Sequence, residues 1–157
     1  MTDEYVKPFV DALLSTIETM SGLKPTPQPF YIKGDEPTPG DVFGMIGITG
    51  RTFVGSIALI FPERLIDSVI QRMTGDFGKE TISSMKDATT ELANIVAGGG
   101  KRILAERGIL INIALPGKIG NNLKEMNYGT FANVFVIPYD MEGDRFHMEL
   151  MLKSIAA

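Results

Sequence analysis

The stretch Val42-Phe-Gly-Met-Ile-Gly-Ile-Thr49, then Gly50-Arg51-Thr52, then Phe53-Val-Gly-Ser-Ile-Ala-Leu-Ile-Phe61 sets the frame for the whole chain. Two apolar, β-branched runs flank a short Gly-containing bend, which reads as a strand pair joined by a hairpin. Gly44, Gly47, Gly50, Gly55, Ser56 and Ala58 keep the pair thin, so something is expected to pack closely on one face. Pro62 stops the second strand and is suited to opening a helix. Leu65, Ile66, Val69, Ile70 and Met73 supply that helix with a buried stripe, and Gly75 closes it.

Working outward, Val6, Phe9, Val10, Leu13, Leu14, Ile17 and Met20 recur at spacings of three and four. They predict a helix from about Asp3 to Met20, with Pro8 in its first turns and Gly22 as its stop. The Pro-rich run Lys24-Pro-Thr-Pro-Gln-Pro and the later Glu36-Pro-Thr-Pro-Gly exclude helix, leaving Phe30 to Ile32 as a short edge strand. Towards the C-terminus, a long helix is expected from Ser83 or Asp87 to about Glu106, with Gly108 as the stop. Three strands follow, over 109–115, 131–139 and 145–153. In the last, Phe146, Met148, Leu150 and Leu152 alternate onto one face. Strands in runs and helices in runs predict an α+β fold: a mostly antiparallel sheet with long helices packed on it, in a single domain spanning 1–157.

Bulk properties narrow the function. The chain has 157 residues and no cysteine, which removes disulfides, thiolate metal sites and cysteine nucleophiles. Its 15 basic and 19 acidic residues give a net charge of -4, without a basic block, so nucleic acid is not an expected partner. No uncharged apolar run is long enough to span a membrane. The acidic start Met1-Thr-Asp-Glu does not resemble a signal peptide, so the expectation is a cytoplasmic protein with no membrane partner.

The segment with chemical potential is Asp87-Ala-Thr-Thr-Glu91-Leu-Ala-Asn94-Ile-Val-Ala-Gly98-Gly-Gly-Lys101. On a helix, Glu91 and Asn94 share a face, Asp87 lies one turn earlier, and Gly98 and Lys101 continue the stripe. Leu92, Ile95, Val96, Ile103 and Leu104 lie on other sectors and can face a core. Each helical Gly costs about 0.8–1.0 kcal/mol relative to Ala, so three in succession imply a close approach by this chain's own sheet or by a partner. A carboxamide can orient a water through one acceptor and two donors, and a carboxylate can pair with a partner's cation. Such a pair suits in-line hydrolysis of a phosphoryl group, which needs chiefly positioning and charge stabilisation. A solvated helix face would also carry a Glu and an Asn three apart, and Asp87 reads as a helix cap or helix-dipole partner rather than a catalytic group. The Gly98-Gly-Gly-Lys101 run fails the phosphate-loop template because Arg102 stands where Ser or Thr is required. The single His147 lacks companions for a metal site and reads as an outward or satisfied strand histidine.

The run from Asp87 through Glu91, Asn94 and Gly98 resembles the helix signature of the CheC/CheX/FliY chemotaxis phosphatases, with Pro116 one residue short of that family's Pro spacing. Residues 42–75 resemble its Gly-rich strand pair and following helix, and residues 112–120 its strand ending in Pro and Gly. CheC and FliY would bring two Glu/Asn helices. Here the first helix has Glu18 without an Asn three residues on, so the single copy is similar to the CheX branch. The resemblance implies an aspartyl-phosphate phosphatase acting on a phosphorylated CheY-like response regulator. It makes Glu91 the anchor to the regulator's lysine and Asn94 the holder of the attacking water; Asp87, Gly98 and Lys101, on the same stripe, are expected to contact the partner. It implies no cofactor of the chain's own, Mg2+ carried by the regulator, and a homodimer formed by sheet extension. The alternative is a regulator-binding module or adaptor that docks without hydrolysing.

Overall fold

The computed structural model describes residues 2–75, 82–114 and 132–154. In chain order these form helix α1 (Thr2–Ser21), the two-residue strands β1 (Thr26–Pro27) and β2 (Tyr31–Ile32), strands β3 (Val42–Gly50) and β4 (Phe53–Phe61), helices α2 (Glu63–Thr74) and α3 (Ile82–Glu106), and strands β5 (Ile111–Ala114), β6 (Ala132–Met141) and β7 (Asp144–Ser154). The seven strands make one antiparallel sheet in the order β1-β6-β7-β4-β3-β5, with β2 also on β6. This is the expected α+β architecture. The pattern elements begin and end within a few residues of their predicted bounds. Pro116 and the segment from Leu115 to Gly120 lie outside the described residues.

Local chemistry accounts for the boundaries. Gly22, Gly75 and Gly108 each adopt φ near +75° where their helices end, a backbone that L-residues with a Cβ rarely take. Pro62 opens α2 without a side-chain cap, and the carboxylate of Asp41 supplies one from outside by accepting the Glu63 N–H at 2.9 Å. Between β6 and β7, Glu142 and Gly143 both have positive φ, the pattern of a two-residue type I′ hairpin. The Pro-rich run is less featureless than its composition predicts. β1 includes Pro27 and lies on the outer edge of the sheet, where a missing N–H leaves no ladder bond unmade.

The helices lie on one face of the sheet. Leu92, Ala93, Val96 and Leu104 of α3 join Ile46 and Ile48 of β3, and Ile57, Leu59 and Phe61 of β4, in one apolar core. Across the sheet, Phe61, Phe146 and Tyr139 stack nearly parallel, with ring centroids 4.5 and 4.9 Å apart. α1 packs against α3 and α2, and Tyr5 meets Phe53 edge-on at 5.4 Å. The small residues of the strand pair divide between faces rather than gathering on one. Gly44 faces α3, whereas Ser56 and Ala58 alternate with the core-facing Ile57 and so point to the other side.

Candidate functional site on helix α3

α3 is seated so closely that glycine is required below it. A Cβ at Gly44 would collide with the backbone of Thr89 and Thr90. The next residue along is Glu91. Thr89 is buried, and its hydroxyl is satisfied within the helix by donating back to the Met85 carbonyl at 2.7 Å. The inner sector is Met85, Leu92, Ala93, Val96, Ala97 and Leu104, all buried.

The outer sector carries the residues singled out by the sequence. Asp87, Glu91, Asn94 and Lys101 are all exposed, and Gly98 is half-buried. Glu91 and Asn94 stand side by side, one turn apart. Among the described residues neither side chain has a hydrogen bond or an ion pair, so both are available to another molecule. Asp87 is not a cap. The helix begins at Ile82, more than a turn before it, and Asp87 belongs to the exposed stripe.

The three glycines have separate causes. A Cβ at Gly99 would press on the Ala12 side chain, and one at Gly100 would enter the ring of Phe9, so both glycines let α1 approach α3. Gly98 has nothing within 4 Å of such a Cβ and opens to the outside. A groove of about 240 Å3 runs beside it, between α1 and α3.

A second polar cluster, which the sequence reading did not identify, lies on the opposite face of the sheet. Glu149 is 2% exposed. Lys33 Nζ lies 2.8 Å from its Oε1, Thr38 donates to the same oxygen, and Oε2 is buried without a partner. His147 is 6% exposed and its Nδ1 has no partner, so it is neither outward nor satisfied. Burial foremost, and then the Arg145 charge, push the His147 imidazole below its usual range, partly offset by Glu149 and Asp140. The segment 33–39 overhangs this cluster and encloses about 450 Å3. Ion-pair partners from distant parts of a chain cannot be matched by periodicity, which is why the cluster was not legible. Among the described residues no group of three or more His, Cys, Asp or Glu could hold a metal ion. No described helix is long and apolar enough to cross a membrane.

Comparison with known proteins bears on the α3 face. Residues 42–140 match the family model described as chemotaxis phosphatase CheX. No curated protein sequence gives a significant match. Among solved structures, the chain is similar to the chemotaxis protein CheX from Vibrio vulnificus, with 31% identity and a TM-score of 0.81 over 96% of this chain and 99% of that one. A chemotaxis protein CheX from Desulfovibrio desulfuricans is similar at 28% identity, with a TM-score of 0.78 over 96% of this chain and 99% of that one. The fold is also shared, at 23% identity and a TM-score of 0.64, by a chain in a CheX–CheY–BeF3–Mg2+ complex from Borrelia burgdorferi, covering 97% of this chain and 98% of that one. The family match spans well over half of the sequence and includes the whole of α3: this chain belongs to the chemotaxis phosphatase CheX family.

Proposed function

We propose that the protein hydrolyses the aspartyl-phosphate of a CheY-like response regulator, using Glu91 as anchor and Asn94 to position the water. The observation that carries this reading is the pairing of an unengaged carboxylate and an unengaged carboxamide on the outer line of a helix whose inner side is locked to the sheet. A protein substrate can reach such a ridge, whereas a small substrate would need a pocket.

The division of labour follows from the two groups. The Glu91 carboxylate accepts a charge-assisted hydrogen bond from a lysine ammonium of the regulator, fixing the docked orientation. The Asn94 amide accepts a hydrogen bond from a water and holds its oxygen in line with the phosphorus. That oxygen forms the new P–O bond as the bond from phosphorus to the aspartyl oxygen breaks. The products are inorganic phosphate, which keeps the water's protons, and a free aspartate carboxylate. A carboxylate is a good leaving group, so no general acid from this chain is required. The regulator carries the Mg2+ that neutralises phosphoryl charge. The Borrelia complex, with CheY, BeF3 and Mg2+ together, supports that arrangement by analogy.

Asp87, Gly98 and Lys101 extend the contact along the same face. Every described helix, and every described strand except the short β1 and β2, contributes to one apolar core, which supports reading 1–157 as one domain. A homodimer through sheet extension belongs to the same reading. It is tested by the mass in solution, with a monomer at micromolar concentration contradicting it. Phosphate release from a panel of phosphorylated receiver domains tests the activity itself. Acceleration of at least one is expected, and acceleration of none would contradict the reading.

A further inference from the structure

We infer that the groove between α1 and α3 is the second half of the docking surface, and that it takes an apolar side chain flanked by a carboxylate from the regulator's receiver domain, with Arg102 selecting the acid. This rests on the function proposed above and deepens it by naming what the partner must present.

The groove holds about 240 Å3, room for one or two side chains and below the usual size of a small-molecule pocket. α1 contributes Ala12, Ser15 and Thr16; α3 contributes Ile95, Gly98 and Arg102. Its lining is mixed: Ala12 and Ile95 are apolar, Ser15 offers a hydroxyl, and Arg102 a guanidinium. The Thr16 hydroxyl is already spent on the Ala12 carbonyl at 2.7 Å, and Ile95 is an aliphatic residue left half-buried at the surface. The one charged group is Arg102 at the C-terminal end, which is exposed and pairs with no described residue. An occupant that satisfies both parts is an apolar residue next to an Asp or Glu.

Two features tie the groove to Glu91 and Asn94. Gly98 is the glycine that this chain's own packing does not demand, and it lies where the ridge meets the groove. A bare backbone there lets partner main chain pass from one to the other. Glu91 and Arg102 are eleven residues apart, which places them about 20° apart around the helix and about 16 Å apart along it. One line of α3 therefore runs from negative to positive. A regulator must present a cation and then an anion in that order, and a reversed dock would oppose like charges. Fixed direction along the helix is what in-line attack at Asn94 requires.

The test is steady-state phosphate release from a CheY-type receiver domain that the wild-type protein dephosphorylates, phosphorylated with acetyl phosphate in the presence of Mg2+. Arg102→Glu is expected to raise KM at least ten-fold with kcat within two-fold, and to flatten the rise of KM with salt. Ser15→Phe fills the groove from the other helix and is expected to raise KM without changing the salt dependence. An acid-to-Lys change on the receiver domain that restores KM for Arg102→Glu would identify the contacting residue. If both variants melt as wild type and keep its KM while Asn94→Ala loses turnover, the groove is not a docking site and the proposed function stands. If Glu91→Ala and Asn94→Ala both turn over normally, the proposed function fails, and this inference with it.

Discussion

Gly44 on β3 lies directly under the backbone of Thr90 on α3, so close that no Cβ fits between them. The contact sets the height at which the helix rides on the sheet, one residue before Glu91. The presentation of the site therefore depends on a glycine in a strand that has no chemistry of its own. Gly44→Ala forces α3 or β3 to shift, at a cost of about 1–3 kcal/mol. A urea melt should show the lower midpoint, and phosphate release should fall with it. A midpoint equal to wild type would contradict the contact.

The glycines of α3 should separate by substitution. Gly98→Ala meets no atom and gains about 0.8–1.0 kcal/mol of helix propensity, so its thermal midpoint should rise. Its KM for the phospho-regulator should also rise, because on the proposed docking the added methyl stands in the path of partner backbone. Gly100→Ala must displace the Phe9 ring and should melt below wild type. The same melting temperature for both variants would contradict the separate roles.

The sequence made the elements legible where periodicity or punctuation was strong. Leu65, Ile66, Val69 and Ile70 marked α2, and Gly75 and Gly108 marked helix ends with the positive φ observed. The Glu91–Asn94 ridge was legible because a helix places i and i+3 together whatever surrounds it. Asp87 was harder, because helix starts drift by a turn when no strong cap fixes them. Which of Gly98, Gly99 and Gly100 faces α1 was not legible, since that depends on how two helices cross. The pairing of Lys33 and Thr38 with Glu149 spans more than a hundred residues and has no local signal.

That pairing yields its own expectation. Lys33→Met leaves Glu149 buried with one hydroxyl partner and should destabilise the fold by about 1–3 kcal/mol in a denaturant melt. Because Glu149 faces away from α3, kcat and KM for phosphate release should stay at wild-type values under native conditions. A loss of activity without a loss of stability would place the cluster in the functional site.

Stability should depend on pH through His147. Its folded-state pKa is lowered, chiefly by burial and then by Arg145, from the ordinary 6.5. The unfolded chain therefore takes up the proton first as pH falls. The contribution is complete above the unfolded pKa and is lost as pH falls from there through the folded pKa. Melts across that window should show wild-type stability declining, and His147→Gln should flatten this component. Parallel profiles for the two proteins would contradict the buried neutral imidazole.

Single-turnover release of phosphate by Asn94→Ala, measured beside its affinity for a beryllofluoride-activated CheY-type receiver domain, tests the central claim most directly. The account predicts a fall of about 100-fold in rate, the scale of losing one positioned polar group in a transition state, with binding unchanged. Wild-type turnover by Asn94→Ala, or a loss explained wholly by weaker binding, would contradict it.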